Sequence, residues 1–348
     1  MPCFDYTQIL PRLLTPSLVK TLGAIREYRG KQELYQRVRP ETLERLCQVA
    51  KIQSTGASNR IENIHTSERR LRDLMAQKVE PANRDEREIA GYRYVLDLVH
   101  ESHDHIPLTP SVILQLHRDL YRFVDSAYAG HWKDADNVIA ERLPTGELVA
   151  RFRPASAAAT PGAVEELCQA YNSALRQDAF DPILPSLLFA FDFVSIHPFN
   201  DGNGRMSRLL TLLVLYRAGY TVGKYISLES LIEQTKESYY EALQASSWGW
   251  QEGANDPAPF VEYMLGIVLA AYRELDERMG VLESDANEET LRAFFDRTLG
   301  KVTKREIMDA HPNVSQKTIE RILQRLQTQG VIEKVGAARN TAYRKREG

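Results

Sequence analysis

Cysteine is scarce in this chain: three among 348 residues, at Cys3, Cys47 and Cys168, with no C-x-x-C spacing. Neither a disulfide framework nor a thiolate metal site can be assembled from so few, so widely spread. Long apolar runs are missing too. The nearest approach, "LPSLLFAFDFVSI", is interrupted by Asp192, and it falls short of the roughly 18 to 20 residues that a membrane helix needs. The N-terminus, "MPCFDYTQILPRLLTP", lacks a basic segment followed by an apolar stretch and a small-residue cleavage site. A soluble, cytoplasmic protein is the expectation. No internal repeat or long low-complexity tract appears, which argues against a solenoid or a disordered chain. The tract "HESHDH", with His100, His103 and His105, reads as a solvated helix end before a proline rather than as a metal site.

What remains is globular composition, 43% hydrophobic and 26% charged, in a chain longer than a single typical core; one large domain with smaller appendages follows. Helical periodicity dominates. Segments such as "ETLERLCQVAKI", "DEREIAGYRYVLDLVHES" and "AVEELCQAYNSAL" place apolar residues three and four apart, so a mostly α fold is predicted. One stretch departs from this. "NVIAERLPTGELVARF" alternates apolar and polar residues around "PTGE", the signature of a β-hairpin.

The tail differs in charge. Residues 291–348 contain 13 Lys and Arg against 6 Asp and Glu, a net +7, so the first 290 residues carry −10 of the total −3. Here the sequence predicts a short helix capped by Thr303 and a second capped by Ser315, with a core stripe at Ile319, Ile322, Leu323 and Leu326. Gly330 stops the second helix, and two short strands follow. That is the order of a winged helix-turn-helix. Lys317, Arg321 and Arg325, four apart on the opposite face, could meet phosphates from a recognition helix.

The densest chemistry lies in "HPFNDGNGRMSR", His197 to Arg208, placed between two apolar helices, the second stopped by Gly219. Glycines that turn the chain sharply before a helix N-terminus expose backbone N–H groups as a concave anion site, which describes Gly202, Asn203 and Gly204. Arg205 and Arg208, three apart on the next helix, are expected to reach the same anion. Asp201 can hold Mg2+ through one carboxylate while phosphate oxygens and water complete the shell. His197 is the group that can take a proton near neutral pH. The parts specify a metal-bound polyphosphate beside a base, and phosphoryl-type transfer to a hydroxyl is the matching reaction.

These twelve residues resemble the signature of the Fic (filamentation induced by cAMP) family, H-x-F-x-[DE]-G-N-G-R-x-x-R, at every specified position, and the similarity extends over about residues 50–280. The resemblance implies a mostly α protein. Its expected parts are an N-terminal helical region (1–105), a Fic core (106–283) with a hairpin flap at about 137–153, and a winged-helix-like domain (284–348). It further implies transfer of AMP from ATP to a Ser, Thr or Tyr hydroxyl of a protein, with self-modification as an option, and release of pyrophosphate. His197 would be the general base, Asp201 the Mg2+ ligand and Arg208 the γ-phosphate ligand, while Gly202, Asn203, Gly204 and Arg205 cradle the phosphates. Phe199 would anchor the loop. Tyr239 and Tyr240 match a pair lining the nucleoside pocket, and Val138 and Ile139 fall on the target-docking flap.

A second stretch, "SNRIEN", resembles the family's inhibitory-helix pattern [ST]-x-x-x-E-[GN], filled by Ser58, Glu62 and Asn63 on a helix expected at about 57–64. A Glu62 pairing with Arg208 would deny that guanidinium to the γ-phosphate. Two further readings stand beside the autoinhibited adenylyltransferase: a DNA-binding regulator whose core only senses nucleotide, and a related enzyme that removes AMP, with Glu62 aligning water. The partners implied are ATP, a hydroxyl-bearing protein and, through the tail, DNA or a protein, with a homodimer as the oligomeric option and no membrane.

Overall fold

The computed structural model describes residues 4–142, 148–298, 300–312, 314–336 and 341–346. Its helices in chain order are α1 (Tyr6–Leu13), α2 (Pro16–Val38), α3 (Pro40–Ile61), α4 (Glu68–Met75), α5 (Arg84–Ser102) and α6 (Pro110–Leu120). After the antiparallel pair β1 (Ile139–Arg142) and β2 (Leu148–Phe152) come α7 (Thr160–Gln177), α8 (Ile183–Ile196), α9 (Asn203–Arg217), α10 (Leu228–Gln234), α11 (Lys236–Ser247) and α12 (Ala258–Arg297). The last elements are β3 (Val302–Thr303), α13 (Lys304–Ala310), α14 (Gln316–Thr328), β4 (Ile332–Val335) and β5 (Ala342–Lys345). The chain divides within α12 into two compact units, Met1–Leu275 and Asp276–Gly348.

The first unit is built around α8 and α9. Helices that are apolar on every side belong inside a protein, and α8, "ILPSLLFAFDFVSI", buries all its side chains except that of Val194. α7 and α9 flank it, and α5 closes the far side of α9. The single carboxylate in α8, Asp192, is kept there by two donors, Tyr6 Oη and Trp250 Nε1, both at 2.9 Å. Burial nonetheless pushes its pKa up to about 7. Among the described residues no helix is long and apolar enough to cross a membrane.

Two strands interrupt the helices. β1 and β2 pair antiparallel with Ile139 opposite Phe152 and Arg142 opposite Leu148, and the register shifts between Ile139 and Ala140. The PTGE turn that would join them lies outside the described residues.

In the second unit Thr303 and Glu306 form a capping box on α13, and Ser315 caps α14 by accepting from the Thr318 N–H. Ile319, Ile322, Leu323 and Leu326 are all buried against Leu291, Phe295, Ile307 and Ile332. β5 lies between β3 and β4, antiparallel to both. The residues 337–340 between β4 and β5 are outside the described set. Arg325 is committed within this unit, its Nη1 lying 2.9 Å from Glu288 Oε2.

Candidate active site

α8 ends at His197, whose backbone is left-handed (φ 51°, ψ 62°), a conformation that non-glycine residues adopt at a cost. The loop that follows returns to α9, and its fixings explain its shape. Phe199 is fully buried and stacks flat on the His117 ring, 3.7 Å between centroids. Asn203 closes the loop on itself, accepting from the Phe199 N–H at 2.9 Å and donating to the Phe199 carbonyl at 2.7 Å. His117 accepts from the Gly130 N–H through Nδ1. Its proton therefore sits on Nε2, which donates to the Asp201 carbonyl at 3.1 Å. Burial holds His117 neutral, its pKa pushed down to about 4.

Gly202 caps α9 with φ 79°. A side chain there would meet the Tyr121 hydroxyl at 2.9 Å, so glycine is required both by the turn and by the space. Asp201 is exposed beside it, and its Oδ1 accepts the Gly202 N–H at 2.7 Å.

The two arginines, expected to reach one anion, take different directions. Arg205 is 1% exposed; its Nη1 lies 2.7 Å from Glu88 Oε2 of α5 and its Nη2 donates to Tyr121 Oη at 2.9 Å. Arg208, also buried, donates through Nε to Ser58 Oγ (2.7 Å) and through Nη2 to Ser58 O (2.9 Å) and Glu62 Oε1 (2.8 Å). Desolvation works against its charge, but the Glu62 carboxylate together with Tyr239 and Tyr92 more than offsets this and its pKa rises. The three residues singled out in "SNRIEN" thus divide their work. Ser58 and Glu62 hold the guanidinium, whereas exposed Asn63 makes the turn: its φ is 60°, its N–H donates to Arg60 O, and the Ile64 N–H donates to Asn59 O. That is a Schellman helix end, with Asn63 at the left-handed position. α3 stops at Ile61, so Glu62 projects from a helix terminus rather than from a helix face.

A cavity of about 230 Å3 gathers most of these groups: Glu62, His197, Gly204, Arg208, Tyr239 and Tyr240 line it, with Ile139 on its wall. Tyr239 is buried and Tyr240 half-buried, their rings 5.4 Å apart. Val138 is 46% exposed and lines a neighbouring cavity instead. Glu62 presses close on Gly204, where a Cβ would stand 2.0 Å from Glu62 Oε1. His197 is half-buried with Nδ1 3.4 Å from Val194 O, and burial above all, with the Lys133 cation adding to it, lowers its pKa to about 4. Its imidazole is therefore a free base at neutral pH.

Several residues of this site carry no local signal in the sequence. Glu88 and Tyr121 brace Arg205, His117 braces the loop, and Lys133 and Asn137 bond to its carbonyls. Each lies some 60 residues or more along the chain from the group it holds. Asn63 is different, because an Asn after the last helical turn is a recognisable helix stop.

Comparison with known proteins agrees with this geometry. Residues 107–215, about a third of the chain, match the Fic/DOC family. The chain is 28% identical over 178 residues, half of its length, to a protein of Aedes aegypti named protein adenylyltransferase Fic, of which the match covers 30%. The chain thus spans about a third of the length of such relatives. A Fic domain containing signaling protein from Bacteroides thetaiotaomicron is 26% identical, with TM-score 0.61 over 72% of this chain and 94% of its own. A Fic family protein from Desulfovibrio desulfuricans G20 shares the fold over 96% of this chain and 97% of its own, with TM-score 0.63 and 21% identity.

Proposed function

We propose that this protein is an autoinhibited protein adenylyltransferase, moving AMP from ATP to a Ser, Thr or Tyr hydroxyl of a protein, itself included. The observation that carries the reading is the Arg208–Glu62 pair at 2.8 Å inside the cavity that also holds His197 and Gly204. In the reaction, neutral His197 takes the proton of the target hydroxyl. The oxygen attacks the α-phosphorus, the bond to the oxygen bridging to the β-phosphorus breaks, and pyrophosphate leaves. N–H groups at the start of α9 cradle the phosphates, Tyr239 and Tyr240 flank the nucleoside, and Arg208 receives the γ-phosphate once Glu62 withdraws. Arg205 supports the cradle from beneath through Tyr121.

Asp201, beside the start of α9, is the carboxylate that a Mg2+ ion would take. Among the described residues no group of three His, Cys, Asp or Glu side chains could enclose a metal ion, but Mg2+ characteristically keeps its waters and substrate phosphates and takes one or two protein carboxylates. Exposed Asp201 supplies one. When bound, the ion would neutralise charge on the phosphates. The hairpin, with Ile139 on the cavity wall, is read as the flap on which a target segment lies by main-chain pairing. The second unit is read as a winged-helix-like docking module; because Arg325 is paired with Glu288, a protein partner suits it better than a three-residue phosphate stripe.

The test is the intact mass of a Glu62→Gly protein after incubation with MgATP. An added AMP, absent when His197 is also changed to Ala, is the expected result. An unmodified Glu62→Gly protein that also fails to modify any added protein would reject the proposal.

A further inference from the structure

Four consecutive backbone carbonyls lead out of α8, and all are claimed. Ile196 O accepts from Lys133 Nζ at 3.1 Å and Pro198 O from the Lys133 N–H at 2.9 Å. His197 O and Phe199 O accept from Asn137 Nδ2 at 3.4 and 3.3 Å. Lys133 Nζ also donates to Asn137 Oδ1 at 2.9 Å, so the two side chains lock each other. The segment carrying them runs directly into β1, whose first residue, Ile139, lies on the cavity wall.

Burying a lysine ammonium is costly unless its donors are used, and Lys133 is only 3% exposed. Its charge sits at the C-terminal end of α8, where unpaired carbonyls favour a cation. The residue between the two carbonyls it holds is His197, in a backbone conformation that persists only where its surroundings over-determine it.

We infer that Lys133 and Asn137 are positioning residues for the base: their seam holds His197 in its left-handed turn, and the Lys133 ammonium adds a positive charge to the surroundings of the imidazole. This rests on His197 being the base of the proposed reaction. The other charged or titratable groups lining its cavity are Glu62 at the end of α3, Arg208 on α9, Arg151 on β2, and Tyr239 and Tyr240 on α11. Glu62 opposes Lys133, favouring the protonated imidazole. The seam also ties the hairpin base to the catalytic loop, so a target laid on the hairpin would bear on the loop that carries the base.

The experiment compares full-length Glu62→Gly protein with the same protein carrying Lys133→Met, Lys133→Arg or Asn137→Ala. Self-adenylylation is followed by intact mass, MgATP affinity by calorimetry, and His197 by NMR titration of labelled imidazole. Lys133→Met should slow transfer about 10- to 100-fold while leaving MgATP affinity within about twofold. It should also move the His197 titration upward, because a neighbouring cation is gone. Asn137→Ala should slow transfer without moving the titration, and Lys133→Arg should return the titration toward its original position. A folded Lys133→Met protein with rate and titration unchanged overturns the inference, as does loss of MgATP affinity equal to the loss of rate. Should Lys133→Met fail to fold, an unchanged rate in Asn137→Ala overturns it instead. If Glu62→Gly performs no transfer at all, the adenylyltransferase reading falls, while the titration still decides whether Lys133 governs the imidazole.

Discussion

Arg205 and Arg208 leave one helix three residues apart, and each ends on a glutamate from a different helix. The pairs are alike in length, 2.7 and 2.8 Å, but not in setting. The Glu88 side chain is 6% exposed, and both its oxygens are taken, one by Arg205 and one by Arg84. The Glu62 side chain is 34% exposed, binds through one oxygen and hangs from a helix end. Burial and double engagement make the first pair a fixture. Partial exposure at a cavity wall would let the second be released, as the proposed autoinhibition requires. On the proposed reading, what would distinguish the structural ion pair from the regulatory one is access, not contact distance.

The largest expected effect separates the two by stability. Removing one partner of a buried pair strands the other, at about 3 to 5 kcal/mol, so Glu88→Ala should lower the stability read from urea unfolding by that amount. Glu62→Gly should cost less, about 1.5 to 3 kcal/mol, because Arg208 keeps its two bonds to Ser58 when the carboxylate is removed. Equal losses would erase the distinction.

Activity should separate them in the opposite sense. Releasing a charge-assisted pair of about 1.5 to 3 kcal/mol corresponds to roughly 10- to 150-fold in the population of productively bound ATP. Glu62→Gly should raise adenylylation by a factor in that range. Arg208→Ala should lower it, and the double variant should behave as Arg208→Ala. No change at Glu88 should activate; activation by Glu88→Gln would mean that Arg205, too, is held in reserve.

Mild acid tests the fixed side. His100, on a tract expected to be a solvated helix end, is instead buried against Tyr216, and His100, His117 and His197 have folded pKa values lowered to about 3, 4 and 4, chiefly by burial. Unfolded imidazoles near 6.5 bind protons that these cannot, so the stability they contribute is complete above about pH 6.5 and is lost as pH falls toward 4. Asp192, raised to about 7, acts oppositely, its contribution being lost as pH rises through 7. His117→Gln should flatten the acid loss in melting temperature between pH 6.5 and 4, and an unchanged profile would remove His117 from this account.

The smallest effect should come from outside the cavity. Arg60, two residues before Glu62, forms a two-pronged pair with Glu233 (2.6 and 2.8 Å), and Lys236 Nζ holds the Ile61 carbonyl at 3.1 Å. Arg60→Ala loosens the helix end without touching a cavity residue. A half-exposed pair of this kind corresponds to about two- to fivefold in basal adenylylation. A gain as large as that from Glu62→Gly would place the releasable element in the whole helix end rather than in one side chain.

The readable parts of this molecule were the local ones. His197 to Arg208 could be read because turn glycines, base and carboxylate are contiguous. The caps at Thr303 and Ser315 and the stripe from Ile319 to Leu326 declared themselves because helix starts and core faces have short periods. The braces could not be read this way. Glu88, Tyr121, Lys133 and Asn137 become neighbours of the loop only when α5, α6 and the segment before β1 pack around α9, and no spacing encodes that. The expectation that Arg205 and Arg208 share one anion failed to include those neighbours. On a helix enclosed on several sides, long side chains three residues apart can find partners on opposite walls.

On the proposed reading, Glu62 is an inhibitor unlike any that arrives from solution. Its carboxylate stands where a methyl group on Gly204 would be, at the N-terminal end of a helix that suits an anion, and the chain delivers it there. A tethered competitor has a fixed effective concentration set by geometry. Purification, dilution or low expression cannot weaken it. The resting activity of this protein should therefore be a property of each single molecule, changed only by what pulls the end of α3 away.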